Sequence, residues 1–516
     1  FQIMKPAKVA ILSLLAAIIF PAFSGTPGFY KDLFMDGGVN LTSRTTLPAA
    51  DSLGLDWEFL ATESEGTQSS VMIESPADEN GALLYPDNAP RFRVFYSNGG
   101  SATGHGNSMG EEGRNRVRAY FHNGGSYTGS CAGAFISSIS YHATGTHEPY
   151  YHIWPGRTAS TGLIDTYTGH FIETGSPLLD YFDFGGDMYV DNVYHTGGCY
   201  AREDIDFPPE TEVLLRYDYP GPAMHLEPSC WAYKGSDTTG RIVVIGSHPE
   251  GVESGERLNL AEGIYLYAIS GNGCPTLKAE LENGEPRVMD RYTSDSLPEF
   301  ARIGDKQYHH FTANLPAGAG ELRVFLDGET GYDFNLYLDS IDFAFADSAD
   351  FSETSPGASK AISIPSPRAG VWHIGVECAS TVTATPVSWG YQYSGDLAVL
   401  NGLEYTISAT WDTGAVVLSE AGEPRRFEIL GNYPNPFNSS TRIAVEFDSY
   451  DEARVDIFAA DGRLVKNLYS GNVEPGGMEF VWNADDRFGN DAPSGVYLVR
   501  IDYGKFSSSR KIMLIR

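Results

Sequence analysis

Basic residues are scarce in this 516-residue chain: 35 Lys and Arg stand against 67 Asp and Glu, a formal charge of −32. With so few cations to displace phosphate counterions, the composition argues against nucleic acid as a partner, and an anionic membrane surface is disfavoured. Cysteine is sparse too, at five residues, and no C-x-x-C spacing occurs, so no structural zinc site and no metal are expected. No apolar run approaches the ~18 residues of a membrane-crossing helix, so no integral membrane segment is expected. What is abundant points to packed cores. Aromatic residues make up 13% of the chain and Gly contributes 57 positions, and disordered chains lack so many aromatics. The length suggests about three domains.

The charge is unevenly spread. Residues 1–287 carry 17 basic and 35 acidic side chains, residues 288–424 carry 6 and 19, and residues 425–516 carry 12 and 13. The near-neutral last segment therefore stands apart as a separate module. At the other end, residues 1–24 hold Lys5 and Lys8, an apolar run from Val9 to Phe20, and small residues at Ala22 and Ser24. That pattern predicts a signal peptide starting at Met4 and cleaved before Gly25. An exported chain meets an oxidising compartment, where four of Cys131, Cys199, Cys230, Cys274 and Cys378 can pair and one is left over. Cys199, Cys230 and Cys274 share one region, and the pairing among them and Cys378 stays open.

Over 25–275, short apolar runs alternate with helix-like stretches. Phe92 to Tyr96 reads as a buried strand entering a Gly-rich loop at Ser97 to Ser101; Asn115 to Phe121 reads as a helix and Arg241 to Ile245 as another strand. Strand, glycine loop and helix in repetition predict a three-layer α/β domain around a mainly parallel sheet. Over 290–412 the elements become short, alternating and split by Gly, Pro, Ser and Asp, as in Leu322 to Leu326 and Val371 to Val376. This predicts an all-β sandwich. A second all-β sandwich follows over 425–516, and the joints near 275–300 and 412–426 are polar or Pro-containing.

The sharpest chemical feature is Gly129-Ser-Cys131-Ala-Gly133. A nucleophile with glycine two residues to either side matches the nucleophile elbow, a tight strand-to-helix turn where flanking side chains would collide with backbone. Downstream, the strand ending at Ile245 runs into Gly246-Ser-His248-Pro-Glu250. His248 can take the Cys131 proton while Glu250 orients the imidazole and stabilises its charged form. Upstream, the Gly99-Gly100 turn can supply amide N–H groups that, with that of Ala132, form an oxyanion hole. Tyr127 is expected to border a substrate pocket, and His195, Gly197 and Gly198 either border it or only shape a turn. His105, within a polar insertion from Ser101 to Gly113, reads as an exposed loop histidine, with a pocket-lining residue as the alternative. His152, Trp154 and the Tyr/His-rich stretch 141–152 read as packing and pocket wall.

At these residues the chain resembles the class I glutamine amidotransferase-like superfamily. That family combines an oxyanion Gly-Gly loop, a G-x-C-x-G elbow and a C-terminal H-P-E in this order. Within it, the segment Gly124 to Phe135, Ile153 to Gly156, Gly175 to Leu179, Tyr194 to Gly198 and Ser247 to Glu250 is similar to the amino-terminal domain type associated with biotin–protein ligases. The resemblance implies a flavodoxin-like fold and a Cys131–His248–Glu250 triad, with Asp36 to Val39 ending the first strand. The chain departs from the family in reading Ser-Asn-Gly-Gly for Pro-Gly-Gly, and it carries no synthetase or biotin ligase catalytic domain. Tyr308 to Phe311, Leu322 to Leu326, Tyr332 to Leu338 and Pro367 to Ile374 resemble the bacterial pre-peptidase C-terminal domain. Asp333 and Asp339 there present either a Ca²⁺ ligand set or a solvated acidic face. Leu430 to Asn438, Val455 to Phe458, Asp461-Gly462, Leu464-Val465, Trp482, Ser494 to Tyr497 and Arg510 to Ile512 resemble a type IX secretion sorting domain of type A, a sandwich that also resembles a flagellar-hook-capping Ig-like domain. That resemblance implies an exported or surface-attached protein and the type IX secretion machinery as a partner.

The expectation is thus a secreted cysteine hydrolase without cofactor, acting on an amide, peptide or γ-glutamyl-like bond of a small-molecule or peptide substrate. The alternative is a catalytically silent surface protein that binds a glycan or a protein on the same fold.

Overall fold

The computed structural model describes residues 28–42, 44–60, 81, 83–221, 224–292, 297–388, 390–412, 427–435, 437–447, 449–459, 464–487, 490–503 and 506–515. The expected signal peptide and Asp461-Gly462 lie outside the described residues. The chain divides into two compact units, Phe1–Gly414 and Ala415–Arg516.

The first unit begins with β1 (Lys31–Asp36), α1 (Pro48–Ser52), β2 (Trp57–Leu60), β3 (Phe92–Ser97), α2 (Ala102–His122), β4 (Ser126–Ser130) and α3 (Ala132–Ser137). It continues through β5 (Thr158–Ser160), β6 (Thr166–Ile172), β7 (Tyr189–His195), β8 (Cys199–Ala201), β9 (Thr211–Asp218), β10 (Pro228–Tyr233), β11 (Ile242–Ile245) and α4 (Glu256–Ile269). Nine strands form one sheet in the order β2-β1-β3-β4-β11-β10-β9-β6-β7. Strands β2, β1, β3, β4 and β11 are parallel to one another. From β11 onward every pair is antiparallel. The mainly parallel sheet of the sequence reading therefore covers only about half of this sheet, because β6, β7, β9 and β10 of the region 166–233 all pair antiparallel.

Strand alternation sorts the core into two layers. Phe34, Phe95, Tyr127 and Val244 face Val117, Tyr120 and Phe121 of α2 and Ile136 of α3. Leu33, Met35, Val94, Val243 and Ile245 face Leu260, Ile264 and Ala268 of α4. The polar stretch 101–113 is not a loop: it is the first half of α2, capped by Ser101, whose Oγ accepts Gly104 N–H at 3.2 Å, and broken at Gly110 (φ 67°). Packing overrides its low helix propensity, since a Cβ at Gly106 would lie 1.9 Å from the Pro149 carbonyl oxygen.

The rest of the first unit is a β-sandwich. One sheet orders β12 (Leu277–Glu280), β14 (Tyr308–Leu315), β19 (Gly370–Cys378), β16 (Phe334–Asp339) and β17 (Phe351–Glu353); β14, β19, β16 and β17 pair antiparallel, β12 joining parallel. The facing sheet orders β13 (Arg287–Met289), β22 (Tyr405–Trp411), β15 (Glu321–Gly328) and β18 (Ser359–Pro365), and β20 (Val382–Val387) with β21 (Gly390–Gly395) forms a hairpin. This sandwich is not held on a loose joint. Arg91 and Asp305, each 1% exposed, pair at 3.0 Å. Tyr85 donates to the Asp305 carbonyl at 2.8 Å, Lys278 meets Asp87 at 2.6 Å, and Tyr393 donates to Glu58 at 2.5 Å. Asp333 and Asp339 accept backbone N–H groups of Gly357, and of Ile341 and Asp342, as turn caps.

The second unit is another sandwich, of β23 (Phe427–Tyr433), β24 (Thr441–Phe447) and β27 (Gly476–Trp482) against β26 (Leu464–Val473), β25 (Asp451–Ala459), β28 (Gly495–Tyr503) and β29 (Phe506–Leu514). Ile443, Val455, Ile457, Trp482, Val499 and Ile501 fill its own core. Among the described residues, no helix is long and apolar enough to cross a membrane.

Candidate active site

The carboxyl ends of β1, β3, β4 and β11 converge, the place where α/β sheets gather functional loops. Cys131 follows β4 and opens α3 at φ 49° and ψ −104°. A side chain held there costs about 1–3 kcal/mol and persists only when its surroundings enforce it. The flanking glycines show how. A Cβ at Gly133 would lie 2.0 Å from the Ser97 oxygen, and one at Gly129 would lie 2.6 Å from the Gly133 carbonyl carbon. Cys131 N–H donates to Ile245 at 3.0 Å, which locks the turn to the neighbouring strand. Its thiol is 5% exposed and donates to the Thr196 carbonyl at 3.4 Å.

His248 follows β11. Its Nδ1 pairs with Glu250 Oε1 at 2.9 Å, while Nε2 is buried and makes no hydrogen bond. Burial alone would lower the His248 pKa. The Glu250 charge, then Cys131, outweigh it and push the value up to about 10. Cys131 thus acts on His248, while the formed hydrogen bond of its thiol goes to the Thr196 carbonyl. Burial likewise opposes the Glu250 carboxylate, yet His248 and Arg44 hold its pKa below the usual value. Glu250 Oε1 also accepts Ser130 Oγ at 3.0 Å, Ser130 meets Tyr96 OH at 3.0 Å, and Arg44 stands 3.7 Å away. Nothing local in the sequence flags Arg44, Ser130, Tyr96 or Thr196; they reach the site only through the fold.

Gly99 and Gly100 follow β3. A Cβ at Gly99 would lie 2.4 Å from His248 Cε1, so Gly99 packs against the imidazole. Gly100 adopts φ 140°, and a Cβ there would lie 2.4 Å from the Asn40 carbonyl oxygen. Two bonds, Thr42 N–H to Gly99 O and Ser101 N–H to Asn40 O, each 2.7 Å, fix this loop to the turn after β1. Ala132, at the first position of α3, has an N–H that no intrahelical carbonyl can take.

The expected pocket residues separate. Tyr127 is not a pocket residue: it is fully buried beneath the elbow, and its hydroxyl donates to Gly133 O at 2.8 Å. His195 is buried, with Ser247 Oγ at 3.0 Å and Thr161 Oγ1 at 2.7 Å on its two nitrogens. Burial, then His248, lower its pKa to about 4. Gly197 lies at φ 68°, and a Cβ at Gly198 would lie 1.9 Å from the Gly246 oxygen, so both shape the turn that carries Thr196 past Cys131.

His105 is not an exposed loop histidine. It is 1% exposed, with Nε2 on Asp36 at 2.9 Å and Nδ1 on the Val39 carbonyl. Trp154 is core, and its Nε1 donates to Thr211 at 2.9 Å; His152 Nε2 meets the His147 carbonyl at 2.9 Å. The disulfide expected among Cys199, Cys230 and Cys274 is not formed. All five cysteines are unpaired, Cys274 being exposed and the others buried. Among the described residues, no group of three His, Cys, Asp or Glu side chains is placed to hold a metal ion.

Comparison with known proteins identifies two segments. The bacterial pre-peptidase C-terminal domain matches residues 307–377. The FlgD Ig-like domain matches residues 432–505. No curated protein matches the chain. Among solved structures, a glutamine amidotransferase is similar at 16% identity over 35% of this chain and 80% of that one, with a TM-score of 0.26. PorZ, a surface component of the type-IX secretion system of Porphyromonas gingivalis, is similar at 28% identity over 16% of this chain and 11% of its own, with a TM-score of 0.13. Dimeric latent PorU from Porphyromonas gingivalis is similar at 13% identity over 68% of this chain and 29% of its own, with a TM-score of 0.20. These scores are too low to assign a fold or an activity.

Proposed function

We propose that this chain is a cysteine hydrolase of the class I glutamine amidotransferase-like type, cleaving an amide, peptide or γ-glutamyl-like bond. One observation carries the reading: His248 is bound to Glu250 through Nδ1 alone, leaving Nε2 uncommitted beside a cysteine held at positive φ. Cys131 Sγ attacks the carbonyl carbon, and the amide N–H groups of Gly99, Gly100 and Ala132 receive the oxyanion. The His248 imidazolium, stabilised by Glu250, gives its proton to the leaving nitrogen. Water then opens the thioester, with His248 accepting its proton. Incubation with an amide and peptide library, acid quench and intact-mass measurement test this. An acyl adduct on Cys131, absent in Cys131→Ser, is the expected result; a library that yields no Cys131-dependent adduct or hydrolysis opposes it.

We further infer an exported protein built of a signal peptide over 1–24, a catalytic α/β domain over 25–275, a sandwich over 290–412 and a type IX sorting domain over 425–516. The sorting motifs from Leu430 to Asn438 and from Ser494 to Tyr497 are the support for that last assignment. Removal of residues 425–516 is expected to retain the protein inside the cell, as read by fractionation.

A further inference from the structure

Beside His248, the surface carries aromatic rings left open to solvent. Tyr194, at the end of β7, has its ring centroid 5.8 Å from that of His248, and its carbonyl accepts His248 N–H at 2.8 Å. Tyr167 of β6, its cross-strand partner, meets it edge-on at 5.7 Å. The two rings are 36% and 57% exposed, and Ile164 close by in sequence is 67% exposed. Tyr194 is nevertheless held in place, its hydroxyl donating to Asp165 Oδ1 at 2.6 Å. A fixed, exposed aromatic pair next to a proton donor is a surface awaiting a ring.

The position relative to His248 says which part of a substrate lies there. In acyl transfer to Cys131 the proton from His248 goes to the departing atom, so the leaving group lies on the His248 side. The acyl oxygen points to the amides of Gly99, Gly100 and Ala132. We propose, resting on the hydrolase reading above, that Tyr194 and Tyr167 form a leaving-group subsite, and that the substrates are amides or esters whose leaving group bears an aromatic or comparably large apolar ring. The S–C bond forms as the C–N or C–O bond breaks, and the departing amine or alcohol takes the proton that His248 received from Sγ. Water then hydrolyses the thioester, releasing the acid and restoring the thiol. A site that releases only ammonia has no use for such a platform.

The test compares acetylation of Cys131 in the full chain by p-nitrophenyl acetate, with an aromatic leaving group, and by 2,2,2-trifluoroethyl acetate, with a small one. Mass spectrometry after acid quench gives both rates in the wild type, Tyr194→Ala, Tyr194→Phe and Tyr167→Ala. Dividing each variant's rate ratio by the wild-type ratio cancels the intrinsic reactivity of the esters. The ratio is expected to fall about tenfold in Tyr194→Ala, the scale of losing one apolar contact surface in a specificity site. Tyr167→Ala falls less, Tyr194→Phe, which keeps the ring but loses the Asp165 bond that fixes it, also falls less than Tyr194→Ala, and each variant's rate with the trifluoroethyl ester serves as its folding control. Equal loss with both esters, or no loss with either, overturns the subsite while leaving the hydrolase reading in place. If neither ester acetylates Cys131 faster in the wild type than in His248→Ala, the hydrolase reading fails and the subsite with it.

Discussion

Two histidine–carboxylate pairs lie at the same end of the sheet, the part-buried His248–Glu250 and the buried His105–Asp36, both at 2.9 Å. They differ in what the second ring nitrogen does. His105 spends it on the Val39 carbonyl, and Asp36 takes Gly38 N–H at 2.9 Å, so the pair ties together the turn that holds the Gly99-Gly100 loop. His248 keeps Nε2 without a hydrogen bond, packed against Gly99 and interacting with Cys131. A histidine with both nitrogens committed is architecture. One with a single oriented nitrogen is free to move a proton. His195, whose nitrogens both face hydroxyls, falls with His105.

Breaking the two pairs separates these roles, and the largest effect falls on the open one. His248→Ala is expected to lower kcat/KM by at least about 10³-fold, since nucleophile and base act as a unit. Glu250→Gln is expected to cost about 10²–10⁴-fold through loss of orientation and charge. It also shifts the alkaline limb of the pH profile. Turnover needs the imidazolium as proton donor, so in the wild type it falls as pH rises through about 10, and in the variant the limb moves down toward the ordinary histidine value of 6.5. Stability follows the same signs. The raised His248 pKa contributes stability that is complete below 6.5 and lost as pH rises through about 10. The depressed Glu250 pKa contributes stability present above 4.5 and lost as pH falls below it. Thermal unfolding across pH checks both limbs.

Smaller effects sharpen the contrast from the structural side. Asp305→Ala strands Arg91 in the core and is expected to destabilise the first unit by about 3–5 kcal/mol in denaturant unfolding. His105→Ala leaves Asp36 without its ring partner and is expected to cost about 1–3 kcal/mol. Its alkaline limb stays where the wild type has it, because His248 keeps its own carboxylate. A limb that moves in His105→Ala would erase the distinction between the pairs.

The candidate site's spine is legible in the sequence because it is local: Gly129, Cys131 and Gly133 fall within five residues, and His248 and Glu250 within three. The fold supplies a steric reason for each elbow glycine. What escapes is long-range or set by packing. Arg44 and Ser130 meet Glu250 across about 200 and 120 residues of chain with no motif to announce them. His105 reads as a loop residue because its neighbours are Gly, Asn and Ser, poor helix formers, while Pro149 and Asp36 decide otherwise. Tyr127 looks like a pocket residue by its closeness in sequence to Cys131, yet strand alternation turns it to the helix side. The first sandwich looks separable because its joint is polar, whereas Arg91 and Asp305, 214 residues apart, bury an ion pair behind that joint.

The central claim, that His248 acts on Cys131, is tested most directly by limiting iodoacetamide labelling of the full chain with peptide mass readout, from pH 5 to 10. Exposed Cys274 is the internal reference. Cys131 is expected to be alkylated about tenfold faster than Cys274 near neutrality, as an activated thiol is, and the excess is expected to vanish in His248→Ala while Cys274 is unchanged. Equal labelling of the two cysteines, or an excess at Cys131 that survives His248→Ala, would contradict the account.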